Sequence, residues 1–173
     1  MTSTGRFHFS RALFAAGLAL FMASCAGTKA HTGNGGEVTK VKYYFLDQSR
    51  GNQGMLRNVQ DASIVFERQH FLYGAISNEE RQDREGNYYT VFWKVEDNSQ
   101  PVTVRFECRQ KGTGLKVKTI EQKIDNPKHH NTTDFSVIGS DYQTNGPVTC
   151  FRVSLVRGKE TLHEWKSFMW ERQ

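Results

Sequence analysis

The sequence predicts an all-β chain folded as an antiparallel β-sandwich of about eight or nine strands. Three observations carry this. Short runs alternate apolar and polar residues with a period of two, clearest where Tyr89, Val91, Trp93 and Val95 interleave with Tyr88, Thr90, Phe92 and Lys94. Turn-forming clusters such as Asp97-Asn98-Ser99-Gln100 and Lys111-Gly112-Thr113-Gly114 separate these runs. No later stretch shows a long helical period.

The N-terminus is of another kind. Met1 to Arg11 holds Arg6 and Arg11 and no acidic residue, and Ala12 to Ala23 is a run of twelve uncharged residues. At about 1.5 Å per residue such a run reaches roughly 18 Å in a helix, short of the roughly 30 Å hydrocarbon core, which predicts an export signal over residues 1–24 and not a spanning helix. The run closes on Met22-Ala23-Ser24-Cys25. This tetrapeptide resembles the lipobox of bacterial lipoproteins, in which a large apolar residue and two small ones precede a cysteine. The resemblance implies cleavage before Cys25, a diacylglycerol group on its thiol and an acylated amine. Each buried methylene contributes about 0.8 kcal/mol, and stable anchoring takes two or more chains, so Cys25 would replace a transmembrane segment. Ala26 in place of Asp resembles the signal for transport to the periplasmic face of the outer membrane in a cell with two membranes. Ordinary cleavage after Ala26, with Ser24 and Ala26 as the small pair, is the competing reading.

From Cys25 to Glu37 small polar residues and glycine dominate, as expected for a flexible tether, with His31 solvated on it. Residues 38–173 then suffice for one domain with its own core. The formal charge is +5 for the whole chain and falls to +3 without residues 1–24, since Arg6 and Arg11 leave with no acidic residue. So small and evenly mixed a charge excludes a basic nucleic-acid-binding face.

The strands follow in order. Val41, Tyr43 and Phe45 alternate with Lys40, Lys42 and Tyr44, predicting a first strand from Val38 to Leu46. Gln48 to Asp61, with Gly51, Asn52 and Gly54, reads as a loop with Met55 and Leu56 tucked under it. Ala62 to Ile76 is rich in apolar residues whose phase slips near Gln69, predicting one bent strand or two short ones. Ser77 to Gly86 reads as a charged, solvated connection. Asn87 to Glu96 and Val102 to Arg109 form a predicted hairpin that centres Trp93 and Phe106 in the core. Leu115 to Ile124, Phe135 to Ile138, Val148 to Val156 and Thr161 to Trp170 complete the strands, with a polar loop over Asn126 to Asp134 and a turn over Asp141 to Gly146.

Cys108 and Cys150 are the thiols left once Cys25 is assigned to lipid, and a pair in an exported domain predicts a disulfide. Cys108 is in phase with Val102, Val104 and Phe106, whereas Cys150 is out of phase with Phe151, Val153 and Leu155, so the bond requires a bulge or offset. The architecture is immunoglobulin-like only in outline. Trp93 precedes both cysteines instead of lying between them, and Val148 stands where that family has a tyrosine.

Chemistry is sparse. His129-His130 is the one adjacent histidine pair and reads as an exposed loop feature, so no metal and no cofactor are expected. No nucleophile elbow or glycine-rich phosphate loop occurs, so no catalytic residue is assigned. Tyr44, Tyr88 and Phe92, with Trp165, fall opposite the predicted core, where rings can stack on a ligand such as a pyranose. The leading expectation is a non-enzymatic, lipid-anchored envelope protein that binds another protein as an accessory or assembly module. A glycan-binding module is second, and a periplasmic enzyme or enzyme inhibitor third. Replacing Cys25 with Ser should release the chain into the soluble fraction or leave uncut precursor; a processed form still held on the membrane would contradict lipid anchoring.

Overall fold

The computed structural model of the chain describes residues 35–47 and 62–171, with side chains throughout except at 62–65. The export signal, Cys25, His31 and the loop over 48–61 with Met55 and Leu56 lie outside the described residues. Alternation of period two builds seven strands here, one or two fewer than expected: β1 (Gly36–Leu46), β2 (Gly86–Val95), β3 (Val102–Gln110), β4 (Lys118–Ile124), β5 (His130–Ile138), β6 (Val148–Arg157) and β7 (Glu160–Lys166). They form two antiparallel sheets, one in the order β1-β2-β5 and the other β4-β3-β6-β7. The all-β sandwich is therefore as the sequence predicts.

Strand partners differ from expectation. Hydrogen bonding pairs β2 with β1 and β5, and β3 with β4 and β6, so the turn after β2 crosses between sheets instead of closing a hairpin. Alternation marks which residues face inward; it carries no record of which neighbour supplies the hydrogen bonds. Trp93 and Phe106 are central, but they belong to facing sheets. The core is a stack of rings about Phe106, whose centroid lies 4.7 Å from Tyr89, 5.2 Å from Phe135 and 5.8 Å from Phe151. Val91, Val102, Val104, Val153 and Leu155 fill the space around them.

Most polar groups inside are paired, as burial demands; among the described residues the Arg109 and Arg157 Nε atoms are exceptions. The Trp93 indole N–H donates to Thr133 Oγ1 at 2.9 Å, and the buried Asn87 accepts from the Val148 N–H at 3.0 Å, tying one sheet to the other. Both open seams of the sandwich are also bridged. Gln122 Nε2 donates to the Asp134 carbonyl between β4 and β5, and the Val38 N–H donates to His163 Nδ1 between β1 and β7. Gly86 opens β2 with φ +144° beside the Val137 carbonyl, which an added Cβ would approach to 2.2 Å, so no other residue fits there.

Two predicted segments change class. Ala62–Leu72 is a helix, α1, and Asn78–Asp83 a second one, α2. In α1 the two-residue period slips at Gln69, but no amphipathic helical period replaces it, because apolar and polar residues are spread around the helix. For α2 the signal stands in the sequence, since Ser77 and Glu80 form a capping box in which Glu80 N donates to Ser77 Oγ and Ser77 N to Glu80 Oε2. Smaller shifts follow. A third helix, α3 (Gly139–Asn145), takes the place of a plain turn, β4 starts at Lys118 and leaves Leu115 exposed, and β7 ends at Lys166 before an exposed Phe168. His130 opens β5 instead of lying in a loop, and β1 starts at Gly36, inside the expected tether.

The expected disulfide is not formed: Cys108 and Cys150 are both buried thiols. Register gives the reason. Cys108 pairs with Phe151 and points into the core, while Cys150 pairs with Arg109 and lies on the other face of the same sheet. The phase difference visible in the sequence is real, and no bulge cancels it at these positions. Burial pushes the Cys108 thiol up to about 12, so its thiolate is scarce at neutral pH. Neither Cys108 nor Cys150 should react with an alkylating reagent in the folded chain at neutral pH, and both should do so after unfolding without reductant. A mass that gains two hydrogens on reduction would refute the thiol assignment.

Candidate functional site

Sheet outer faces are where a sandwich can meet a partner, and the two faces here differ in kind. On β3, β4, β6 and β7 the outward side chains neutralise one another. Arg105 meets Glu121 at 2.6 Å, and Arg152 meets Glu107 at 2.7 Å and Glu164 at 3.7 Å. The chain end folds back over this sheet, placing Trp170 4.6 Å from the Arg109 guanidinium and 5.1 Å from that of Arg152. Each exposed pair contributes little, about 0–1 kcal/mol. Their joint consequence is a face whose charges are already matched.

The opposite face, on β1, β2 and β5, is aromatic and carries the helices. Tyr44 and Tyr88 are direct cross-strand partners in the β1/β2 register, and both point outward as the alternation predicts. They are not open to solvent. Phe71 of α1 stacks on Tyr44 with centroids 4.9 Å apart and an interplanar angle of 15°, and lies 4.1 Å from Tyr88. The expectation that these two rings present bare faces to a ligand is thus corrected, because a helix the sequence reading took for strand supplies the covering ring. Phe92, further along β2, keeps its outward position but lies beneath Lys42 Nζ at 5.5 Å from the ring centroid. Trp165 is not outward at all; it packs against the core with its ring 5.3 Å from Phe151.

Arg84 fastens this assembly. Its Nη1 donates to the Phe71 carbonyl at 3.3 Å and to the Tyr73 carbonyl, taking up acceptors that the end of α1 leaves without helical partners. The Tyr88 hydroxyl donates back to the Arg84 carbonyl at 2.5 Å, which closes a loop between sheet, α2 exit and α1. The aromatic pairs contribute about 0.5–1.5 kcal/mol each beyond area burial. Between α1 and β1 lies a groove of about 390 Å³, lined by Val41, Lys42, Tyr43, Glu67, Phe71 and Thr90 among others.

Around it the surface is apolar. Tyr43 is 72% exposed, Phe66 67%, Tyr73 85% and Ile76 87%, all on β1, on α1 or within four residues of its end. The sequence places Phe66, Phe71 and Tyr73 in one bent strand or two short ones; with apolar residues spread around α1, nothing in the pattern marks Phe71 as the covering ring or Phe66 and Tyr73 as exposed.

The other candidates separate. His129 Nδ1 lies 3.2 Å from the Val95 carbonyl, and His130 opens β5, so the pair does not converge. Among the described residues no group of three or more His, Cys, Asp or Glu side chains is placed to hold a metal ion. A smaller cavity of about 220 Å³ lies beside Lys118 and Asp141, which form an ion pair. Burial alone would raise the Asp141 carboxyl, but hydrogen bonds from Lys118 and Asn145 and the Lys118 charge outweigh it and hold it below the usual carboxylate range. Compared with family models, curated proteins and solved structures, the chain matches none.

Burial raises the phenols of Tyr44 and Tyr88 above their ordinary value, against smaller lowering by Arg68 and Arg84 respectively. The folded chain therefore holds these protons more tightly than the unfolded chain. The difference costs nothing below about pH 10, and stability falls as pH rises from there toward the folded values. Phe71→Ala should return both phenols toward ordinary titration in phenolate absorbance, leaving Tyr89, raised by burial in the core, unchanged. Identical titration curves would show that Phe71 does not shield them.

Proposed function

We propose that this chain is an envelope lipoprotein, anchored through Cys25, that docks another protein with the aromatic end of its sandwich. The observation that carries the reading is the set of exposed apolar side chains on α1 and its exit, Phe66, Tyr73 and Ile76, next to the Tyr44–Phe71–Tyr88 stack. Scattered exposed apolar residues need no explanation; several on one short helix and its flanks are the composition of a protein interface, where Tyr and Phe are enriched. The other sheet also has exposed apolar residues at its margins, Leu115 and Val117 before β4 and Phe168 and Met169 after β7, but its outward strand positions carry matched charges instead of stacked rings.

Position supports the same reading. Gly36, the described residue of β1 nearest Cys25 in sequence, pairs with Val95, whereas Tyr44 pairs with Tyr88. At about 3.3 Å per residue these points are roughly 26 Å apart along β1. In this reading the lipid attachment enters the domain at the end of β1 away from the Tyr44/Tyr88 pair. An accessory or assembly module needs that disposition. A glycan-binding platform needs bare ring faces, and Tyr44, Tyr88 and Phe92 each have a face taken by a side chain of this protein.

A photoreactive phenylalanine analogue at position 66 or 73, introduced in living cells, should cross-link to a discrete protein, while the same group at Glu121 should not. Adducts of polysaccharide alone, or equal yields at all three positions, would count against protein docking.

A further inference from the structure

We propose that the slot between Tyr44 and Tyr88 is a recognition pocket for an aromatic side chain of the partner, and that α1 is its removable plug. This deepens the docking reading and rests on it. What the slot accepts is displayed by its present occupant: the Phe71 ring lies 4.9 Å from one tyrosine and 4.1 Å from the other. An incoming Phe, Tyr or Trp side chain offers the same stacking chemistry. The hydroxyl of Tyr88 is already committed to the Arg84 carbonyl, so the pocket offers ring faces and selects for rings.

The plug is built to leave. With eleven residues, α1 is shorter than the roughly 12–15 at which an isolated helix becomes even marginally stable. Its first turn has no acidic residue to complement the helix dipole. Among its described side chains, from Phe66 to Leu72, none is buried; Phe71 and Leu72 are half-buried and Phe66 is exposed. A helix end, from Phe66 to Leu72, with so little buried surface belongs to the low-stability end of a fold, where local opening occurs without global unfolding.

A hinge stands at its exit. Gly74 has φ +82°, a conformation glycine adopts freely, and Arg84 holds the Tyr73 carbonyl beside it. Swinging α1 outward about Gly74 gives up the Arg84 bond to Phe71 and the Ala75 N–H bond to the Leu72 carbonyl at 3.0 Å, and retains the Arg84 bond to Tyr73. Because the slot is filled in most molecules, the apparent affinity for an external ring is reduced by the fraction of chains with the plug out. Emptying the slot by mutation removes that reduction.

The test is a ¹⁹F NMR titration of N-acetyl-4-fluoro-L-phenylalaninamide into the detergent-solubilised full chain. Phe71→Ala should bind the probe saturably and at least tenfold more tightly than the native chain, and adding Tyr88→Leu should abolish the gain. Equal binding by Phe71→Ala and by the double variant overturns the pocket, as does no gain over the native chain. Hydrogen exchange of the unaltered protein supplies a check independent of whether the variants fold. Amides from Phe66 to Phe71 should exchange at least a hundredfold faster than those of Tyr89 to Trp93, and exchange of the two segments at one rate overturns the removable plug. In cells, a partner still cross-linked at full yield by a Tyr44→Leu/Tyr88→Leu chain overturns the pocket while the docking reading stands; absence of any partner strikes the docking reading instead.

Discussion

Two small sheets share one problem here. Each has an apolar face too large to leave in water and no second layer of its own, so each can be buried only against the other. Phe106 is the point of contact on which this depends, since its ring touches Tyr89 and Phe135 from the facing sheet and Phe151 from its own. Two polar side chains deep in this interior are tied. Trp93 is bonded to Thr133, and Asn87 receives the Val148 N–H from across the sandwich. Gln122 and His163 close the two seams by side-chain bonds to the backbone of the opposite sheet, which keeps the edge strands in place without a continuous barrel.

The constraint on the inside leaves the two outer faces free to diverge. One is finished by charge, with Arg105, Glu107, Glu121, Arg152 and Glu164 paired among themselves. The other is finished by rings, and Tyr44 and Tyr88 lying side by side across β1 and β2 would be a wet apolar patch if nothing covered them. The chain solves this with α1, yet the solution is partial, because covering two tyrosines with Phe71 places Phe66 and Tyr73 in water on the same helix and its exit. The apolar surface is displaced outward more than it is removed.

That displacement connects fold to function. The apolar residues on α1 and its exit are the part of this face that a partner of the proposed kind would meet. Arg84 gives the arrangement its particular character, since one guanidinium caps the helix and one phenol binds the same residue, so that helix, α2 exit and sheet are coupled through a single side chain. A surface of this kind is fixed at its base and loosely held at its rim.

How far the sequence went can be stated residue by residue. A two-residue period depends only on neighbours along the chain, so the inward set Tyr89, Val91, Trp93, Val102, Val104 and Phe106 was legible, as were the outward directions of Tyr44 and Tyr88. The phase offset of Cys150 was legible too, and it correctly marked the difficulty of joining it to Cys108. The capping box at Ser77 and Glu80 was present and overlooked. Other features could be decided only in three dimensions. Which strand bonds to which depends on how two sheets share a core, and that placed β2 and β3 in different layers. The helical state of Ala62–Leu72 and the burial of Tyr44 and Tyr88 are one event, since the helix has little reason to form until the rings it covers exist, and those rings come together only when distant strands have paired.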